Sequence, residues 1–180
     1  MNHQDHVRLI SGGIPGPGGI WADLGSGSGA FTLALAECIG PEGEIFSVDK
    51  DSRALHHQRQ AMQARFPDVK VHYIAADFSR QISLPALDGV VMANSLHFVL
   101  QKDVTLGLIR SYLKPGGRLI IVEYNVDRGN LWVPHPFSYH TWEAMARKHK
   151  FSHTEQLAAR PSSFLGEIYS AVSFKQRSEN

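Results

Sequence analysis

The chain has 180 residues, 43% of them hydrophobic and 19% charged, which suits one domain with one core of ordinary size. Its formal net charge is +1 and its basic residues are scattered, so the electrostatic footprint of a dedicated nucleic-acid binder is missing. The single cysteine, Cys38, allows no internal disulfide and fits a reducing compartment, no run reaches the roughly 18 apolar residues of a membrane span, and residues 1–10 are polar, so one cytoplasmic domain over residues 1–180 is expected.

Val7, Ile10 and Ile14 mark a short amphipathic segment that the Gly- and Pro-rich stretch 12–19 ends, so residues 1–19 read as an N-terminal helix and loop. Beyond it, short apolar runs at 20–24, 44–48, 70–75, 89–93 and 118–123 read as strands, mostly bounded by Gly, Asp, Asn or Pro. Such continuous apolar runs belong to strands covered on both faces. Phe31, Ala34, Leu35 and Cys38 line one face of a first intervening helix that stops at Gly40-Pro41. Leu55, Met62 and Phe66 mark the apolar side of a second, with Arg53, His57, Arg59 and Arg65 on a solvated face. A third helix is predicted over 103–113 and a fourth over 138–149 with Ser138 as its N-cap. The proline-broken stretch after Asp77 reads as a loop crossover. Two last extended runs, 154–159 and 168–174, have no helix between them and are expected to pair antiparallel at one edge.

Alternating strands and helices give parallel βαβ units with right-handed crossovers. The predicted fold class is therefore α/β: a single doubly wound, mostly parallel Rossmann-like sheet with helices on both faces and an antiparallel C-terminal edge.

The densest chemistry is in Asp23-Leu24-Gly25-Ser26-Gly27-Ser28-Gly29, where three glycines stand at the turn from the first strand into the first helix. Glycines there let the backbone approach a nucleotide, and the helix N-terminus offers free N–H groups. Gly25, Gly27 and Ala30 also satisfy G-x-G-x-x-G/A, with Asp49 about 20 residues on, so a dinucleotide oxidoreductase remains open on these residues alone.

With Asp23 ahead of the glycines and their alternating spacing, the sequence resembles the class I S-adenosylmethionine-dependent methyltransferases of small-molecule type, the broad family that includes quinone methylases. Later stations follow in order: Ile45-Phe46-Ser47-Val48-Asp49, Ala75-Ala76-Asp77-Phe78, the stretch from Asp88 through Asn94 to His97, and Leu113-Lys114-Pro115-Gly116-Gly117. The resemblance implies S-adenosylmethionine as methyl donor, with S-adenosylhomocysteine as product. It implies donor contacts from Asp23, Gly25, Ser26, Gly27, Gly29, Asp49, Lys50, Asp77, Phe78 and Asn94. Asp49 would hold the ribose hydroxyls, and Asp77 the adenine amino group with Phe78 packed on the ring. The lesser alternatives are a helix cap for Asp49 and a loop aspartate for Asp77; Asp88 precedes its strand and reads as structural.

The acceptor belongs beyond the carboxyl ends of the strands, at 94–98, 123–125 and the loop to Phe137. His97 is the candidate general base there, with Tyr124 beside it; a packed histidine is the alternative. Trp132, Pro134, His135, Pro136 and Phe137 lie in a connection long enough for a lid or a packed flap. The histidine pairs His3/His6, His56/His57 and His149/His153 lack ligand partners at site spacing, so no metal is assigned. The expected partner is a small-molecule acceptor, with no nucleic-acid or membrane signal and with a homodimer allowed. A donor-binding protein or regulatory subunit without catalysis is the second functional reading.

Overall fold

The chain opens, in a computed structural model that describes residues 1–177, with α1 (His3–Ile10). Asn2 caps it reciprocally: its side chain accepts from Asp5 N while the Asp5 carboxylate accepts from Asn2 N. Then follow β1 (Gly19–Leu24), α2 (Ala30–Ile39), β2 (Gly43–Asp49), α3 (Ser52–Arg65), β3 (Lys70–Ala75), β4 (Leu87–Ala93), α4 (Lys102–Tyr112), β5 (Leu113–Tyr124), α5 (Tyr139–Lys148), β6 (Phe151–Ser162) and β7 (Gly166–Lys175). No helix joins β3 to β4, as the proline-broken sequence implies.

One seven-stranded sheet has the order β3-β2-β1-β4-β5-β7-β6. β3, β2, β1, β4 and β5 pair in parallel, and β7 and β6 are antiparallel additions at the far edge. The strand order reverses between β1 and β4, so the loops leaving those two strands part there and open a crevice at their carboxyl ends. Both faces are covered. Successive β5 residues alternate: Leu119 and Ile121 join the layer with Leu106, Ile109, Trp142 and Ala146 of α4 and α5, whereas Ile120 and Val122 join the layer with Leu9, Ile10, Leu35, Ile39 and Met62 of α1, α2 and α3. Burial on both faces is what makes these strands read as unbroken apolar runs.

The largest differences from expectation are in β5, β6 and β7. β5 begins at Leu113 rather than 118 because Lys114-Pro115-Gly116-Gly117 stays within the strand as an irregularity: the register with β4 steps from Leu87↔Leu113 to Gly89↔Arg118, and Gly116 takes φ 76°. β6 and β7 exceed the predicted runs because they pair from Phe151↔Lys175 to Ser162↔Gly166, with shifts at Phe151/His153 and Gln156/Ala158 that break the period-2 pattern. Ser138 caps α5 by accepting from Thr141 N. Among the described residues no helix is long and apolar enough to cross a membrane.

Candidate functional site

β1 ends in a tight turn because Gly25, Gly27 and Gly29 take φ of 78°, 53° and 91°, a region that side chains rarely tolerate. Gly25 N and Ser26 N donate to Val48 O at 2.8 and 3.0 Å, which folds the turn back over the end of β2. Asp49, the last residue of β2, completes the bracket: Oδ2 accepts from Gly27 N and Oδ1 from Asp51 N, both at 2.8 Å. The cap of α3 is Asp51, whose side chain accepts from Arg53 N and Ala54 N, so Asp49 is free of that duty.

Around this turn opens a cavity of about 610 Å³, built from the carboxyl ends of four neighbouring strands. Gly25 and Gly27 come from the end of β1, Asp49 and Lys50 from β2, Ala76 to Ser79 from β3, and Asn94, Ser95 and Phe98 to Leu100 from β4. A hollow of about 390 Å³ at the outer side of α3 and β3, lined by Arg59, Met62, Phe66 and Tyr73, brings neither a carboxylate nor a glycine turn with it.

The cavity's polar groups are set in place. Asp77 Oδ1 accepts from Ser79 N at 2.9 Å and Ser79 Oγ at 2.7 Å, and these bonds hold its carboxyl below the usual range. Phe78 packs so close to Gly25 that a Cβ there would lie 3.0 Å from its ring, and 2.5 Å from Ser95 Cβ. Nothing lies within 4 Å of a Cβ built on Gly27, so the missing side chain leaves open space in the wall. Asn94 takes φ 50°, and its Oδ1 is buried without a hydrogen-bond partner. Open backbone, paired carboxylates and an unfilled buried acceptor together fit a nucleoside with hydroxyl and amino donors.

Of the residues singled out in the sequence, Gly25, Gly27, Asp49, Lys50, Asp77, Phe78 and Asn94 line this cavity. Asp23, Ser26 and Gly29 do not; they stand behind the wall. Asp23 is 1% exposed and its Oδ2 accepts from Thr32 Oγ1 at 2.6 Å. Burial pushes its carboxyl up to about 7, against the Thr32 bond and with the charge of Asp49 adding to the rise. A Cβ at Gly29 would overlap the Gln58 side chain.

Neither catalytic candidate lines the cavity. His97 is 2% exposed in a short 3-10 turn (Leu96–Phe98), and its Nδ1 meets Glu123 Oε2 at 2.7 Å. Glu123 Oε1 accepts from Leu96 N and His97 N, so one buried carboxylate holds both the ring and the turn that carries it. Tyr124 is partly buried, its ring 6.4 Å from His97 and 5.8 Å from Phe164, and burial raises its phenol above the ordinary value. The connection 125–137 is tied down rather than loose. Asn130 Oδ1 accepts from Trp132 N and Val133 N, His135 N donates to His97 O, and Lys102 Nζ donates to Val99 O and His135 O. Leu131 and Trp132 nevertheless project, 88% and 71% exposed.

Sequence reasoning missed Gln58, Ser79, Val99 and Leu100. Gln58 had a signal: it falls between Leu55 and Met62 on the buried stripe of α3 and is itself wholly buried.

Comparison with known proteins agrees with this architecture. A model of the methyltransferase domain family matches residues 17–170. The ubiquinone/menaquinone biosynthesis C-methyltransferase of Pasteurella multocida is 30% identical over 105 residues, 57% of this chain and 39% of that protein. The chain spans less than half the length of that relative and of its counterpart from Teredinibacter turnerae, where the share is 47%. Among solved structures, the YcgJ protein of Bacillus subtilis is 12% identical with a TM-score of 0.77, covering 97% of this chain and 100% of that one. A SAM-dependent O-methyltransferase from Thermotoga maritima is 17% identical with a TM-score of 0.71, covering 100% and 68%. At these identities the two structures share the fold with this chain.

Proposed function

The chain belongs to the class I S-adenosylmethionine-dependent methyltransferases, and on that premise we propose that it transfers a methyl group from S-adenosylmethionine to a nucleophile on a small-molecule acceptor. The observation that carries this reading is the cavity at the reversal of strand order, where the glycine turn and Asp49 meet Asp77, Phe78 and Asn94. Bound there, the donor supplies a methyl group already activated on a sulfonium, so the chain has to align two reactants and exclude water.

Asp49 would accept the ribose hydroxyls. Each of its oxygens already takes one backbone N–H and keeps a lone pair for a ligand. Asp77 would accept from the adenine amino group, with Phe78 against the ring. Asn94 Oδ1, buried and without a partner, would take an N–H or O–H of the bound molecules. His97 would hold the 96–98 turn through Glu123, and Phe98 and Leu100 would form the acceptor side of the wall. The likeness to quinone-biosynthesis C-methyltransferases supports a carbon on a quinol-type ring as the first acceptor to assay. The burial of His97 behind the cavity favours a second reading, a donor-binding protein without its own transfer.

Calorimetry with S-adenosylhomocysteine and NAD in parallel tests the premise. The first should bind and the second should not, and Asp49→Ala should weaken the first by about one to two decades through lost charge-assisted bonds. Binding of NAD alone would overturn the donor reading. Label moving from the donor's methyl group into a quinol separates transfer from mere binding.

A further inference from the structure

Behind the glycine turn runs a line of buried polar side chains drawn from four elements of the fold and the turn itself. Asp23 on β1 accepts from Thr32 on α2, Thr32 Oγ1 accepts from Gln58 Nε2 on α3, Gln58 Oε1 accepts from Ser47 Oγ on β2 at 2.8 Å, and Ser47 Oγ lies 2.8 Å from Ser26 Oγ in the turn itself. Every one of the five residues is at most 9% exposed. A hydroxyl has one proton to give. Since Ser47 gives its proton to the amide oxygen, Ser26 must be the donor to Ser47. All four donors then point the same way, from the turn toward the Asp23 carboxylate, an arrangement in which each bond polarises the next.

We propose that this relay positions the methyl donor, with Gln58 as its central positioning residue: the relay holds the glycine turn by Ser26 at one end and by the Gly29–Thr32 start of α2 at the other. The proposal rests on the donor reading above. Gln58 touches no cavity space, yet it packs where a Cβ on Gly29 would stand, so the third glycine of the motif answers to Gln58 and to its own φ of 91° rather than to a ligand. Between those anchors, Gly27 N is the group held by Asp49, and Gly25 and Gly27 form cavity wall. Displacing the relay displaces the wall.

The direction of the relay depends on the charge at its end. An ionised Asp23 accepts, which sets every donor as described. A protonated Asp23 gives its proton to Thr32 Oγ1, which sends Thr32's proton to Gln58, turns the Gln58 amide over, and leaves Ser26 accepting instead of donating. Burial pushes the Asp23 carboxyl up to about 7, and Asp49 at the end of β2 is the charged group whose field reaches it; Thr32, Gln58, Ser47 and Ser26 on the other packed elements are uncharged. The two arrangements therefore exchange near neutrality. The arrangement in the structure, with Ser47 giving to Gln58 and Gln58 to Thr32, is the one that belongs to the higher pH.

S-adenosylhomocysteine is the probe, since it lacks the sulfonium and so reports turn geometry rather than charge attraction. Its affinity for the wild-type chain, measured by calorimetry from about pH 5.5 to about pH 8.5, should rise through about 7. Gln58→Met, which keeps the length of the side chain without its hydrogen bonds, should bind about tenfold more weakly at the upper end and show no step with pH. Thr32→Val should behave like Gln58→Met, while Thr32→Ser, which keeps the hydroxyl, should retain both affinity and step; this pair decides the matter if Gln58→Met does not fold. Wild-type affinity that is flat with pH, or variants whose affinity and pH profile match the wild type, would overturn the relay while leaving the donor reading intact. Failure of the wild type to bind the probe at any pH overturns the donor reading, and the relay's role with it.

Discussion

Three glycines that look alike in the motif are held to their identity by different neighbours. Gly25 faces Ser95 and Phe78, Gly27 faces empty cavity, and Gly29 faces Gln58. Gly27→Ala should therefore fold, with a cost of about 1–2 kcal/mol for an L side chain in the left-handed region and a melting temperature lower by about 2–8 °C. Its new methyl group stands in the cavity, so affinity for S-adenosylhomocysteine should fall more than tenfold, about 1.4 kcal/mol. Gly29→Ala carries the same backbone strain and an overlap with a buried side chain as well, and should melt markedly lower than Gly27→Ala. Thermal melts of the two variants beside calorimetry check this; equal melting temperatures with donor affinity kept in Gly27→Ala would remove Gly27 from the binding wall. The sequence shows that glycine is needed at these places. It cannot show for what, because Gln58 and Ser95 reach them from 29 and 70 residues away along the chain.

At the scale of elements, the strands were legible wherever burial on both faces leaves an apolar run, which is why β1 to β4 fall within a residue or two of expectation. The ends of β5, β6 and β7 were not, because register shifts and a bulge extend the ladders through residues that read as turn or polar loop. The connection 125–137 was ambiguous for the same kind of reason. Its length suggests a lid, but its restraint comes from Lys102, whose ammonium donates to Val99 O at 2.8 Å and His135 O at 2.9 Å and so pins the connection to the segment that walls the cavity. Burial lowers the pKa of this lysine, with the field of Glu123 opposing. Lys102→Met keeps the stem and removes both bonds. Amide exchange over 131–136 should then speed up by about tenfold or more, while α2 and β1 keep their protection. Unchanged exchange in that segment would mean that Asn130 and the burial of Val133 and Phe137 suffice to hold it.

The whole molecule is polarised. Of seven well-exposed large hydrophobic side chains among the described residues, six lie at the carboxyl ends of the parallel strands: Phe98, Leu100 and Val104 after β4, Leu131 and Trp132 after β5, and Phe164 in the β6–β7 turn. Scattered singly, exposed apolar residues need no explanation; gathered as a rim at one end of the sheet, they form a surface suited to something apolar. Phe98 and Leu100 belong to that rim and to the cavity wall at once, which joins the exposed surface to the place where an acceptor would react. Such side chains contribute little to folding, because their area stays in water. Leu131→Ser together with Trp132→Ser should therefore leave the melting temperature within about 4 °C, since surface changes of this kind are usually within about 0.5 kcal/mol each. It should also leave the affinity for S-adenosylhomocysteine as it was, because neither residue lines the donor cavity. What should fall is binding of an anilinonaphthalene sulfonate dye, measured by fluorescence on the folded chain. Dye binding that survives this double change would show that the rim is not the apolar surface of the molecule, and the acceptor's route would have to be sought elsewhere.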